Sequence, residues 1–183
     1  MRIALVSGKG GTGKTTLAYL LTMALAKAGQ SVAVDDIDPQ ASLSRLTDRA
    51  SWRNPEAENT ITIVDTPPQI DSPAVLREIG IADRILIPTT PSPMDLMAVR
   101  ATMEVIEATK QSSAGAMVVL NRLRGGTSFG AAAESMLEDL HVPVATAIIP
   151  ERQGIQRAMV LGWPSMDPQT RETLLALAIE VIS

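Results

Sequence analysis

The stretch Ser-Gly-Lys-Gly-Gly-Thr-Gly-Lys-Thr at residues 7–15 leaves this chain few folds to choose from. It follows the apolar run IALV at 3–6 and opens a helical pattern, LAYLLTMALAKAG, so it joins a strand to a helix. Gly8 to Thr15 fits the pattern G-x-x-x-x-G-K-[ST], in the one context where that pattern has a mechanism. Glycines let successive backbone N–H groups turn inward, and the helix N-terminus adds its dipole, which together make a cradle for phosphates. Lys14 is placed to reach the β- and γ-phosphates and Thr15 to offer its hydroxyl to Mg²⁺, with Thr16 within reach of the α-phosphate. One lysine suffices for this work, yet the loop holds a second, Lys9.

The rest of the chain repeats the strand-then-helix alternation. Short apolar runs occur at 3–6, 31–34, 61–64, 84–87, 116–120 and 144–149, and helical periodicity at about 14–28, 94–110, 128–140, 152–161 and 169–182. Strands that are apolar throughout, separated by helices, predict a mainly parallel sheet covered on both faces: an α/β doubly wound fold. Ser92, Pro93 and Asp95 mark one helix start, with a capping residue, a proline at the first helical position and an acid in the first turn. The C-terminal TRETLLALAIEVIS reads as a helix packed on the core; with Arg171 its only cation, it lacks the basic face of a membrane-surface helix. The methionines, Met97, Met103 and Met117 among them, read as core filler, and His141 as a loop residue. Loops are expected at 47–59 and 122–128.

Composition narrows the chemistry. At 183 residues and 45% hydrophobic, the chain is the size of one ordinary domain, and residues 1–183 are expected to form one. There is no cysteine and a single histidine, which excludes disulfides, thiolate or iron–sulfur sites and a histidine metal cluster, and leaves hard, oxygen-bound metals. The start lacks a secretory signal and no run approaches about 18 apolar residues, so a cytoplasmic location is expected. A net charge of −4 argues against a wholly basic nucleic-acid binder and leaves room for a local arginine patch.

Phosphate and Mg²⁺ chemistry calls for acidic partners. TITIVDTPP places Asp65 at the end of an apolar strand, where an acid holds the metal through water; alone it would suit a simple turn equally well, and the phosphate loop tips the reading. In VAVDDIDPQAS at 32–42 three aspartates cluster as a strand runs out. Like charges so close suit a nearby Mg²⁺ or a water to be oriented, although a polar turn is the other reading. Asp38 is the candidate for orienting the attacking water, Asp36 for a contact in the outer shell of the metal, and Asp35 belongs to the strand.

Taken together, KGGTGKTT, DIDPQAS, IVDTPP and VVLNR resemble, in order, the ParA/MinD family of deviant Walker-type ATPases, and IPTTPSPMDLMAV and TAIIPERQGIQRAMVLGWPSMD resemble its small plasmid-partition branch typified by ParF. The resemblance covers nearly the whole chain. It implies that Gly10, Gly11, Thr12, Gly13, Lys14, Thr15 and Thr16 bind the phosphates of ATP, that Asp36, Asp38 and Asp65 serve Mg²⁺ and water, and that Asn121 meets the adenine. Pro91 to Asp95 would then lie near the nucleotide or a dimer contact. It also gives the second lysine a purpose, since Lys9 would cross a nucleotide-sandwich homodimer to the partner's phosphates, as an arginine finger does. Between DPQAS and TITIVD fewer than twenty residues remain where relatives carry a further helix and strand, so one edge strand is expected to be missing.

The resemblance further implies non-specific DNA binding by the ATP dimer, association with the nucleoid in that state, and a ParB-like activator on plasmid, chromosomal or other large cargo. Arg122, Arg124, Arg152 and Arg157 are the candidate DNA-contacting cations, and with few aromatics the contact would be to duplex backbone. Two alternatives stand beside this reading: a MinD-like ATPase that positions cargo on a membrane surface, and a metabolic ATP-dependent enzyme on the same platform. The first wants a basic amphipathic C-terminal helix, and the second has no need of Lys9.

Overall fold

A computed structural model of the chain describes residues 1–47, 60–110, 115–123, 137 and 142–183. Five strands, β1 (Arg2–Leu5), β2 (Ser31–Asp36), β3 (Thr60–Asp65), β4 (Arg84–Thr89) and β5 (Ala116–Leu120), form one sheet in the order β2-β3-β1-β4-β5. All four neighbouring pairs are parallel. The chain leaves β1 at the centre, runs outward to β2, returns to β3, and crosses to the other side for β4 and β5. This is the doubly wound arrangement that continuous apolar strands predict.

Alternation along the strands shows why both faces must be covered. Ile3, Leu5, Ile63, Leu86 and Val119 point into one cluster with helices α1 (Lys14–Lys27) and, at the C-terminus, α6 (Pro168–Ile182). Ala4, Val6, Val64, Ile85, Ile87 and Val118 point into the other, with α3 (Pro73–Ile81) and α4 (Pro93–Lys110). α1 is buried on nearly every side, from Leu17 to Leu25, because it lies between the sheet and α6. α6 contributes Thr170, Leu174, Leu177, Ala178 and Val181, the three- and four-residue spacing of one apolar stripe, so the expected core-packing helix is what forms.

Two short helices, α2 (Ser42–Thr47) and α5 (Gln153–Leu161), and a single 3₁₀ turn at Trp163–Ser165 complete the described elements. α3, nine residues long like α5, has no counterpart among the periodic runs, although Ser72 and Pro73 start it as Ser92 and Pro93 start α4; the Ser72 hydroxyl accepts from the Val75 N–H. The run at 144–149 is not a regular strand. It follows β5 through single bridges, Val118 to Val144 and Leu123 to Pro150, with Ala145 N–H to Val118 O at 2.8 Å and Ile149 N–H to Leu120 O at 2.9 Å. Prolines at 143 and 150 bracket it, and Glu180 of α6 accepts from both the N–H and the hydroxyl of Thr146, pulling it toward the helix. The helix expected at 128–140 and the loop expected at 47–59 fall largely outside the described residues, as do Arg124 and His141.

Candidate nucleotide site

The C-terminal ends of parallel strands all open on one edge, and the crevice forms where successive connections part to opposite sides of the first strand. Here that strand is β1, and the phosphate loop leaves it. Gly11 and Gly13 have φ of 84° and 95°, and a Cβ on Gly13 would collide with Nδ2 of Asn121. Glycine at 13 is thus required twice, by backbone conformation and by close approach. Asn121, at the end of β5, donates from Nδ2 to the Thr12 carbonyl at 2.9 Å, and α4 adds support through Thr102, whose hydroxyl accepts from Gly8 N–H at 3.2 Å.

Lys14 is 8% exposed. Burial lowers its pKa, opposed by the nearby charges of Asp65 and Asp38. Asp65 is fully buried, and its Oδ2 accepts from the Thr15 hydroxyl at 2.6 Å. Burial, opposed chiefly by that hydrogen bond, pushes its pKa up to about 6, with Asp36 and Asp38 adding like charge. The fold therefore brings Lys14, Thr15, Asp36, Asp38 and Asp65 together from three strand ends, as the motifs predict. Asp36 also braces the backbone. Its Oδ1 accepts from Asp38 N–H and its Oδ2 from Ser44 N–H, which fastens the turn that carries Asp38. Asp35 stays in the strand, and its carboxylate pairs with Arg2 at 2.5 Å.

A hard divalent cation fits this set. Asp65 Oδ1 and Thr12 Oγ1 are buried without a hydrogen-bond partner, an arrangement that costs about 1–3 kcal/mol per group unless a ligand or its water completes it. No group of three or more acidic or histidine side chains poised for a metal occurs among the described residues, so the remaining ligands would be phosphate oxygens and water, which is the way Mg²⁺ is held in phosphate sites. Thr15 would hold the cation directly and Asp65 through water.

Beside the loop lies a cavity of about 250 Å³ whose lining includes Thr16, Asn121, Arg122, Pro150, Ile155 and Met159. Its loop end is polar, and its far wall mixes apolar Pro150, Ile155 and Met159 with polar Glu151, Arg152 and Gln156, a lining that suits a nucleoside. The sequence marks 152–161 as helical, but nothing local places residues 150–159 beside the phosphate loop.

The remaining candidates separate. Arg122 lies against the loop, with Nη2 3.9 Å from where a Gly13 Cβ would be, so its guanidinium is on the nucleotide side. Arg152 is engaged within the chain, to Asp167 Oδ1 and Gln169 Oε1 at 2.6 Å each. Arg157 stands exposed on α5. Lys9 is folded onto its own subunit: its ammonium pairs with Oδ1 of Asp95, in the first turn of α4. Beside it Met97, expected in the core, is 72% exposed, as is Met94 at 71%. The family resemblance puts Asp95 near the nucleotide or a dimer contact but gives no sign that it would hold Lys9.

Comparison with known proteins settles the family. The model for the CobQ/CobB/MinD/ParA nucleotide binding domain matches residues 3–162. The chain belongs to this family. The maintenance of carboxysome distribution protein A of Halothiobacillus neapolitanus is 30% identical over 185 residues, covering 87% of this chain and 84% of the relative. Among solved structures, an ATP complex of a Cyanothece McdA variant superposes with a TM-score of 0.80 at 18% identity, over 99% of this chain and 95% of that one. The septum site-determining protein MinD of Pyrococcus horikoshii OT3, solved with Mg-ADP, gives 0.67 at 22% identity, over 98% and 95%. These likenesses establish the ParA/MinD fold, and the family model with the curated relative establishes the membership.

Proposed function

We propose that this chain is a Mg²⁺-dependent ATPase that forms a nucleotide-sandwich homodimer with ATP, grips DNA without sequence preference in that state, and uses hydrolysis to partition or position a large cargo. The observation that carries the proposal is the double-lysine loop set against three converging carboxylates. A single lysine would serve binding; a second one at the mouth of the site suits a contact made from outside the subunit. The carboxysome-distribution relative supports the cargo class, whether plasmid, chromosome region or another assembly.

Each residue then has a role in phosphoryl transfer to water. Loop N–H groups from Gly10 to Thr15 and the start of α1 surround the phosphates, and Lys14 neutralises charge on the β- and γ-groups. Mg²⁺, when bound, would supply neutralisation of the charge developing on the transferred phosphoryl group. Thr15 and Asp65 hold its position. Asp38, fixed in its turn by Asp36, accepts a hydrogen bond from the attacking water and aims it. Lys9 from the opposite subunit adds charge stabilisation of the arginine-finger kind, worth about a thousandfold or more in rate. Asn121 and the cavity beside it take the base and ribose. A ParB-like activator on the cargo would accelerate turnover and return the protein to its ADP state.

The test is fluorescence anisotropy of an arbitrary-sequence duplex titrated with protein in Mg-ATP and in Mg-ADP at two salt concentrations. Binding with ATP alone, weakened steeply by salt, is the expected result. Absence of binding in both states, with ATP dimerisation confirmed, would overturn the DNA part and make a membrane surface the next platform to assay.

A further inference from the structure

The ion pair between Lys9 and Asp95 is built rather than incidental. Asp95 is 8% exposed, and while Oδ1 meets the Lys9 ammonium, Oδ2 accepts from the Thr90 hydroxyl at 2.5 Å. Its own N–H is tied to the Ser92 carbonyl at 2.9 Å, and it sits where the dipole of α4 favours an acid. Apart from Lys9, the carboxylate is held by the Thr90 hydroxyl and its backbone by Ser92, while the Lys9 side chain is 38% exposed.

We propose that Asp95 is a positioning residue that holds Lys9 on its own subunit until a second nucleotide-loaded copy arrives, and so sets the protein concentration at which dimers form. The proposal rests on Lys9 acting in trans. One ammonium cannot occupy both places. In a two-fold dimer each subunit must break its own pair, so the latch opposes assembly twice. Breaking it leaves a buried carboxylate with a hydroxyl as its remaining side-chain partner, a cost that a partly buried ion pair carries even when its net contribution is small. The ammonium leaves only for a site with more negative charge. A triphosphate offers that and a diphosphate offers less, so the latch sharpens the difference between the two states, since a ligand shifts an equilibrium only by its differential interaction.

The experiment is sedimentation equilibrium in Mg²⁺ with a non-hydrolysable ATP analogue and, separately, with ADP, using wild type, Asp95→Asn, Asp95→Glu and Lys9→Ala. Asp95→Asn keeps the shape and an oxygen for Thr90 while removing the charge. Its dimer dissociation constant should fall roughly tenfold with the analogue, as expected for two partly exposed pairs no longer broken. Asp95→Glu should return the wild-type value. A residue with a merely structural role would weaken assembly or leave it unchanged, never strengthen it. If Asp95→Asn folds poorly by circular dichroism, Asp95→Ser carries the same expectation. An unchanged or raised dissociation constant in both charge-removing variants, with Lys9→Ala unable to dimerise, overturns the latch and leaves the proposed function standing. A Lys9→Ala protein that dimerises and hydrolyses ATP normally removes the trans lysine, and the latch falls with it.

Discussion

Asp65 carries its charge at a cost, and that cost can be read out by pH. In the Mg²⁺- and nucleotide-free protein, burial raises its pKa from 3.8 to about 6. A raised carboxyl pKa means the folded state prefers the proton: no penalty exists below the unfolded value, the penalty grows as pH rises from about 4 to about 6, and it is constant above. Its full size is roughly 2–3 kcal/mol. Asp65→Asn should therefore melt at a higher temperature than wild type at pH 8, with the advantage vanishing near pH 4, and should lose the thermal shift that Mg-ADP gives wild type. At the same scale, Asp38→Ala should bind ATP and dimerise but hydrolyse it at least a hundredfold more slowly, in a phosphate-release assay. A variant unable to bind Mg-ATP would instead make Asp38 a metal-site residue. What the sequence reveals here follows from distance along the chain. Lys14 and Thr15 are neighbours and Asp65 ends a strand, so local motifs mark them. Asp95 holds Lys9 across 86 positions, and no spacing rule reports such a contact.

Elements are most legible where a start signal and a long periodic run coincide; the Ser72–Pro73 start of α3 is followed by too little periodic run to mark it. α1 and α4 announce themselves by length and by the glycine loop or Ser-Pro start that precedes them. The 144–149 run misleads because apolar content predicts burial along β5, which occurs, but not an unbroken ladder between two prolines. At the C-terminus the decisive local feature is the cap of α6. Asp167 accepts from Thr170 N–H at 3.0 Å and from its hydroxyl at 2.7 Å, and these bonds hold its carboxyl below the usual range. The same carboxylate anchors Arg152, so it joins the entry of α5 to the start of α6. Asp167→Ala should cost about 1 kcal/mol in urea unfolding. A depressed carboxyl pKa gives stability that is present above the unfolded value and lost on acidification through the folded one, so the difference between variant and wild type should shrink as pH falls below about 4.

For the whole molecule, the strand order gathers five loop ends on one edge and leaves α5 beside the nucleotide cavity, at the surface where the sequence suggests a stripe of arginines. That stripe is the least legible feature of the sequence, because composition counts cations without saying what they face. The fold divides them. Arg122 lies against the phosphate loop, Arg152 is engaged by Asp167 and Gln169, and Arg157 is left exposed on α5, with no hydrogen bond or ion pair to a described residue. A proposed DNA contact accordingly rests on Arg157 before Arg152, and the two should fail differently. Arg152→Ala should lower the melting temperature while DNA affinity per folded molecule holds. Arg157→Glu should leave folding, ATP binding and ATP-dependent dimerisation intact, yet weaken duplex binding in Mg-ATP at least tenfold at low salt. Because a dimer presents the residue twice, the slope of log affinity against log salt should become shallower by about two. An unchanged slope for Arg157→Glu would move the DNA-binding surface off α5.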